Sequence, residues 1–281
     1  MKDKLNNMIT ENFDKFLNSP YNVMKPKRIT DYNKVLPIVE LYPCIQSEGS
    51  RQGRPTIAIR TTGCTHRCWF GEGGWCDSWY TSIHPEKGLY NFNDIIKIYD
   101  QYPYITEMML TGGSPTMHPD LVNELTHFAD KRGILITMET EGSHFIETDF
   151  AIGLISLSPK FTNSIPKIGV TTPKGSIVDQ KFIDQHNKHR LNYDAIRKTL
   201  DYHYDYHFKP VWDGTEECLQ EIENFRLEME IPKRKTWIMP AGDNREELIK
   251  MYPLSIELAM KYGYNWTGRD HIIAYDTKRA V

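Results

Sequence analysis

The chain of 281 residues carries 34 Lys and Arg against 37 Asp and Glu, a formal charge of −3, and 40% of it is apolar, which suits one large globular domain of the α/β kind. A near-neutral balance without a basic block excludes a protein whose main work is gripping nucleic acid by its phosphates. No stretch approaches the roughly 18 apolar residues of a membrane span, and the opening Met1-Lys2-Asp3-Lys4-Leu5 lacks the apolar core of a signal peptide. A cytoplasmic protein is therefore expected, with no membrane partner and with its five cysteines reduced rather than bridged.

Residues 1–36, with Ser19-Pro20 and Lys25-Pro26-Lys27-Arg28, are polar and weakly periodic and read as an N-terminal extension carrying at most one helix, from Thr10 to Leu17. From residue 37 onward, β-branched runs predict strands at Ile38–Leu41, Thr56–Thr61, Glu107–Thr111, Ile134–Glu139, Ile152–Ser158, Asp205–Val211, Lys235–Met239 and His271–Tyr275. Helical patterns fall between most of them. Asn93-Asp94 opens Ile95–Tyr102, Pro119-Asp120 opens Leu121–Lys131, Thr215 opens Cys218–Glu228, and Asp243 caps Arg245–Tyr262, which stops at Gly263. This alternation implies βαβ units and a mainly parallel sheet in one domain, 37–281, with 161–204 as a long insertion ending in a helix.

In such folds ligands sit at the C-terminal ends of the strands. The unusual residues lie there: Thr61-Thr62-Gly63-Cys64, Thr111-Gly112-Gly113-Ser114, Glu139-Thr140-Glu141-Gly142 and Ser158-Pro159-Lys160. Cys64, Cys68 and Cys76 form a C-x3-C-x7-C pattern on a loop containing Gly71, Gly73 and Gly74. Three readings of it stand open. The cysteines could be ordinary buried thiols, although three within thirteen positions fit that poorly. They could hold a structural zinc with His66 as fourth ligand, or an iron–sulfur cluster with one iron left free for an external ligand.

The surrounding motifs resemble the 7-carboxy-7-deazaguanine synthase family of the radical S-adenosylmethionine superfamily. They are Pro43-Cys44-Ile45-Gln46-Ser47-Glu48-Gly49, Gly53-Arg54-Pro55, Ile59-Arg60-Thr61-Thr62-Gly63-Cys64 and Trp75-Cys76-Asp77-Ser78. The four strand-end motifs, Arg269-x-His271 and the closing Lys278-Arg279-Ala280-Val281 extend the match. The sequence departs from the family in its long C-x7-C spacer, in Ser114 for a cofactor-binding glutamate, in Ser47 for a glycine and in Trp237 for a glutamine.

The resemblance implies a partial (β/α) barrel of the radical S-adenosylmethionine type. It also implies a lyase that contracts the ring of 6-carboxy-5,6,7,8-tetrahydropterin to 7-carboxy-7-deazaguanine with loss of ammonia, in queuosine- or archaeosine-type biosynthesis. Implied cofactors are a 4Fe-4S cluster on Cys64, Cys68 and Cys76, S-adenosyl-L-methionine, and Mg²⁺ on Ser78. The cofactor would be met by Trp75, Cys76, Asp77, Gly113, Ser114, Glu139, Ser158, Pro159 and Lys160. The substrate would be met by Ile45, Gln46, Ser47, Glu48, Arg60, Thr111 and the C-terminal Val281, with no side chain assigned a catalytic role. Gln46 and Glu48 would face the aminopyrimidinone edge, and Arg60 the substrate carboxylate, an internal ion pair being the competing role for Arg60. An electron donor such as flavodoxin is implied, and a homodimer is compatible. The other readings kept open are an activase of a glycyl-radical enzyme, and a zinc-stabilised or degenerate non-catalytic binding protein.

Overall fold

In the computed structural model, which describes residues 24–70 and 74–281, the apolar runs assemble into two joined sheets; the helix expected at Thr10–Leu17 lies outside the described residues. Strands β1 (Ile38–Ile45) and β2 (Pro55–Thr61) form an antiparallel pair, and β3 (Trp69–Phe70) and β4 (Gly74–Trp75) a small ribbon of their own. Strands β5 (Glu107–Gly112), β6 (Leu135–Thr140), β7 (Leu154–Leu157) and β8 (Tyr206–Phe208) extend β2 in parallel, in the order β1-β2-β5-β6-β7-β8. A second parallel sheet, β9 (Val211–Trp212), β10 (Trp237–Pro240) and β11 (Asn265–Trp266), runs in the order β11-β10-β9 and meets the first through a parallel bridge, Phe208 to Thr236. The fold is thus α/β with a mainly parallel sheet, as expected.

Period-two alternation decides which face becomes the site. Ile57 and Ile59, Met108 and Leu110, and Ile136 and Met138 turn outward into one apolar core with Ile95, Leu121, Val122 and Leu125 of the covering helices. Arg60, Met109, Thr111 and Glu139, on the opposite face, line a cavity. In chain order the helices of the described residues are α1 (Trp79–Ser82), α2 (Phe92–Gln101), α3 (Pro119–Arg132), α4 (Gln180–His189), α5 (Tyr193–Tyr202), α6 (Glu216–Glu228), α7 (Arg245–Tyr262) and α8 (Asp270–Tyr275). Helix α3 carries Pro119 in its first turn and stops at Gly133 in the left-handed region, and the Thr215 side chain caps α6.

Four local expectations change. The segment His271–Tyr275, expected as a strand from Ile272-Ile273, belongs to helix α8 and buries Ile272; two adjacent β-branched residues are too short a signal to fix a strand. The single strand expected over Asp205–Val211 breaks at Lys209-Pro210, because proline has no N–H for the ladder, and its second half joins the other sheet. Asn91, not Asn93-Asp94, caps α2 in a capping box with Asp94. Asn244, not Asp243, caps α7 by accepting from the Glu247 N–H. Strand β1 also runs past Pro43 to Ile45, which an edge strand tolerates. In the segment 161–204 lie α4 and α5, and residues 24–36, read as extension, pack on the domain through Arg28, whose guanidinium binds Glu124 at 2.7 and 2.9 Å.

Burial holds three histidines neutral. It pushes His203 down to about 4, His207 to about 3 and His186 to about 2. A ring nitrogen of His203 accepts the Ile152 N–H at 3.0 Å, and one of His186 accepts the Arg67 N–H at 3.0 Å; protonating those nitrogens breaks the bonds. The unfolded chain takes up these protons near pH 6.5, so it binds more of them than the folded protein below that pH. Stability is therefore complete above about pH 6.5 and falls progressively toward pH 4. Urea unfolding at pH 7.5 and 5.0 is expected to give a lower midpoint at pH 5.0, with a smaller drop in His203→Asn; equal midpoints would contradict it.

Candidate active site

A cavity of about 1010 Å³ opens at the C-terminal ends of β2, β5, β6, β7 and β8, large enough for a drug-sized ligand and a cofactor together. Close backbone packing builds its floor. A Cβ on Gly113 would sit 2.0 Å from the Gly63 carbonyl oxygen, and one on Gly112, at φ +132°, would sit 2.3 Å from the Thr61 amide. The two glycines thus let the loop after β5 lie against the loop after β2, so their first service is to this neighbouring backbone rather than to a ligand.

Charged groups form a connected network across the cavity. Lys209, 4% exposed at its side chain, donates to Glu48 at 2.5 Å and to Glu139 at 3.0 Å. Arg269 donates to Glu48 at 3.1 Å and to Asp77, and Thr111 donates to Glu139 at 2.7 Å. Burial raises the Glu48 carboxyl, but Lys209, Arg269 and His271 outweigh it and hold it far below the usual range. Asp77 is held at about 2, its burial outweighed by Arg269, His271 and Arg60. Ser47 shares a 2.7 Å hydrogen bond with the His271 ring, while the Gln46 side-chain oxygen accepts the Ser47 N–H at 3.0 Å.

Arg60 already has protein partners. Its Nε donates to Glu40 at 2.6 Å and one terminal nitrogen to Ser78 at 2.9 Å. The internal ion pair weighed against a ligand role is therefore present, and Arg60 also lines the cavity beside Gln46, Glu48 and Thr111. Ser78 stands at the start of α1. Glu40 also binds Arg279 at 2.9 Å, and the Arg279 guanidinium stacks 3.3 Å over the Tyr80 ring and pairs with Glu86. Those contacts hold the last residues against the cavity, where Val281 contributes to the wall.

The long cysteine spacer has a simple geometry. In the β3/β4 ribbon Trp69 pairs with Trp75 and Phe70 with Gly74, so Cys68 and Cys76 fall opposite each other at the next position. There the Cys76 N–H donates to the Cys68 carbonyl at 3.1 Å. Trp69-Phe70 leads away and Gly74-Trp75 returns antiparallel beside it, so the long spacing still brings Cys76 back opposite Cys68. The Trp69 and Trp75 rings pack edge to face at 4.9 Å and sit with Ile83 and Val178 in a small apolar cluster that closes this side.

Cys64, Cys68 and Cys76 all line the cavity. Burial pushes the Cys64 and Cys76 thiols up to about 12 and Cys68 well above its ordinary value. A metal centre takes such groups as thiolates. Three cysteines on one wall would leave one iron of a 4Fe-4S cluster open for an external ligand. The donor set thus fits a three-cysteine cluster.

Of the other expected residues, Ile45, Trp75, Gly113, Ser158 and Lys160 line the cavity, whereas Ser114, Pro159 and Trp237 do not. Ser114 is fully buried and donates to Glu141 at 2.7 Å, and Trp237 faces His207 at 6.1 Å between ring centroids. Lys209 and Glu40 escaped sequence reasoning, and Glu141 entered it only within the motif Glu139-Thr140-Glu141-Gly142, without a role of its own. A lysine closing the apolar run before Pro210 was the available signal for the first.

No family model matches the chain. A curated relative from Halobacterium salinarum named 7-carboxy-7-deazaguanine synthase is 34% identical over 247 residues, covering 86% of this chain and 91% of its own. One of the same name from Rhodopirellula baltica is 27% identical over 244 residues, 87% of this chain and 88% of its own. The crystal structure of QueE from Escherichia coli superposes with a TM-score of 0.55 at 18% identity, over 83% of this chain and 93% of that one, and shares the fold. At 34% identity across most of both sequences, the chain belongs to the 7-carboxy-7-deazaguanine synthase family.

Proposed function

We propose that the protein is a radical S-adenosylmethionine lyase that converts 6-carboxy-5,6,7,8-tetrahydropterin to 7-carboxy-7-deazaguanine with loss of ammonia. The observation that carries this reading is one cavity lined at once by three cysteines and by the Gln46, Glu48 and Arg60 set. Cys64, Cys68 and Cys76 would hold a 4Fe-4S cluster. When bound, that cluster and S-adenosylmethionine supply the radical that starts the ring contraction.

The remaining work belongs to the protein. Glu48 stays ionised between Lys209 and Arg269, ready to accept N–H groups of the pterin edge. Gln46 offers both a donor and an acceptor. Arg60 faces the substrate carboxylate, and the Ser78 hydroxyl offers an oxygen ligand for Mg²⁺. Tryptophans 69 and 75 keep water from the cysteine side. A flavodoxin-like protein would deliver the electron.

Anaerobically reconstituted protein given reductant, S-adenosylmethionine and the tetrahydropterin is expected to release 7-carboxy-7-deazaguanine. Cofactor cleavage indifferent to the pterin would favour an activase, and absence of iron and sulfide would favour a zinc module. Arg60→Lys keeps the charge but loses the planar fork, so it is expected to raise KM for the pterin about tenfold or more. Binding of a pterin without the carboxylate should not change. Equal losses for both ligands would make Arg60 a purely structural partner of Glu40.

A further inference from the structure

We propose that Glu141 receives the amino group of S-adenosylmethionine, an assignment that rests on the functional reading above. Glu141 follows β6 and lines the cavity wall with Cys64 and Cys68, and it is 6% exposed. Of the carboxylates lining the same cavity, Glu48, Asp77 and Glu139 each face an Arg or a Lys. Glu141 does not. Among the described residues its ion-pair distance is to the His66 ring, at 4.0 Å, and its hydrogen-bond partners are hydroxyls.

The way those hydroxyls are used is informative. Ser114 at 2.7 Å, Thr65 at 3.3 Å and Ser143 all donate to one oxygen, Oε1. Oε2 accepts from none of the described residues. Among the described residues the carboxylate is clamped by one oxygen, and the other takes no donor from them.

Thr65 Oγ1 lies 3.3 Å from Glu141 Oε1 and 2.8 Å from His66 Nδ1, so it joins the two side chains. His66 Nε2 is buried without a partner among the described residues. A carboxylate oxygen that takes no donor from the described residues, in a cavity it shares with the cysteines, suits a ligand that is rich in N–H and carries positive charge. The amino group at the methionine end of the cofactor is such a donor. Ser114, standing where the family's glutamate is expected, orients the carboxylate instead of supplying one.

The test is anaerobic equilibrium binding to cluster-loaded protein, with S-adenosylmethionine and with 5′-methylthioadenosine, which lacks the amino-acid portion. Glu141→Gln is expected to weaken S-adenosylmethionine about ten- to a hundredfold, leaving methylthioadenosine binding and the iron and sulfide content unchanged. In the unaltered protein, a deaminated analogue of S-adenosylhomocysteine should bind more weakly than S-adenosylhomocysteine by a similar factor, and Glu141→Gln should erase that difference. Undiminished cofactor binding by the variant, equal loss of both ligands, or loss of the cluster would each overturn the assignment alone. Wild-type protein that holds a cluster yet binds no S-adenosylmethionine would overturn the functional reading and this assignment with it.

Discussion

Alanine at any one of Cys64, Cys68 or Cys76 is expected to abolish cluster binding and cofactor cleavage, while Cys44→Ala and Cys218→Ala leave both intact. The contrast follows from position. The first three line one cavity, and the Cys68 and Cys76 backbones are bonded across the ribbon. Cys218, 2% exposed, contacts Asn163 and the Val211 carbonyl at 3.2 and 3.5 Å. Cys44 belongs to β1 and also reaches the cavity wall, which makes it the stricter control. Iron and sulfide analysis after anaerobic reconstitution reads the outcome. A Cys76→Ala protein with a full, cleavage-competent cluster would separate the ribbon from the metal site.

Lys209→Met is expected to cost about 3–5 kcal/mol of stability, the usual penalty for removing one member of a buried ion pair, and to abolish turnover. The ammonium answers Glu48 and Glu139 together, and methionine leaves both carboxylates with less compensation in a dry site. Urea unfolding measures the loss. The double variant Lys209→Met/Glu139→Gln should lose less than the sum of the single changes, because the second substitution removes a charge the first had stranded. Additive losses would show that the three groups act independently.

The repeating part of the fold was legible because it is written in periodicity: alternating apolar residues placed β2, β5, β6 and β7, and turn residues placed α3 and α6. The site motifs were legible because close backbone approach and thiol convergence demand particular residue types at particular spacings. Partnership was not legible. Nothing near Arg60 in sequence points to Glu40, twenty positions away on the neighbouring strand, and nothing near Glu48 points to Lys209, 161 positions away. Helix α8 was misread because Ile272-Ile273 favours a strand locally, while the structure gives it no strand to pair with and one apolar side chain to bury. The Ser114 substitution looked like a loss in the sequence, since only the three-dimensional structure shows the hydroxyl ending on Glu141.

The Arg279 clasp also sets an order of assembly. Its contact with Glu40 joins residues 239 positions apart, and Arg269 reaches back 221 positions to Glu48. Contacts of such length come late in folding, after the chain entropy of closing the loop has been overcome. On a ribosome the sheet and the Arg60–Glu40 pair can form before residues 269 and 279 leave the exit tunnel, but Arg279 on Glu40 and Arg269 on Glu48 join only later. The pocket is therefore finished only when synthesis has passed residue 279, so a nascent chain carries the cysteines well before it carries a complete place for a substrate.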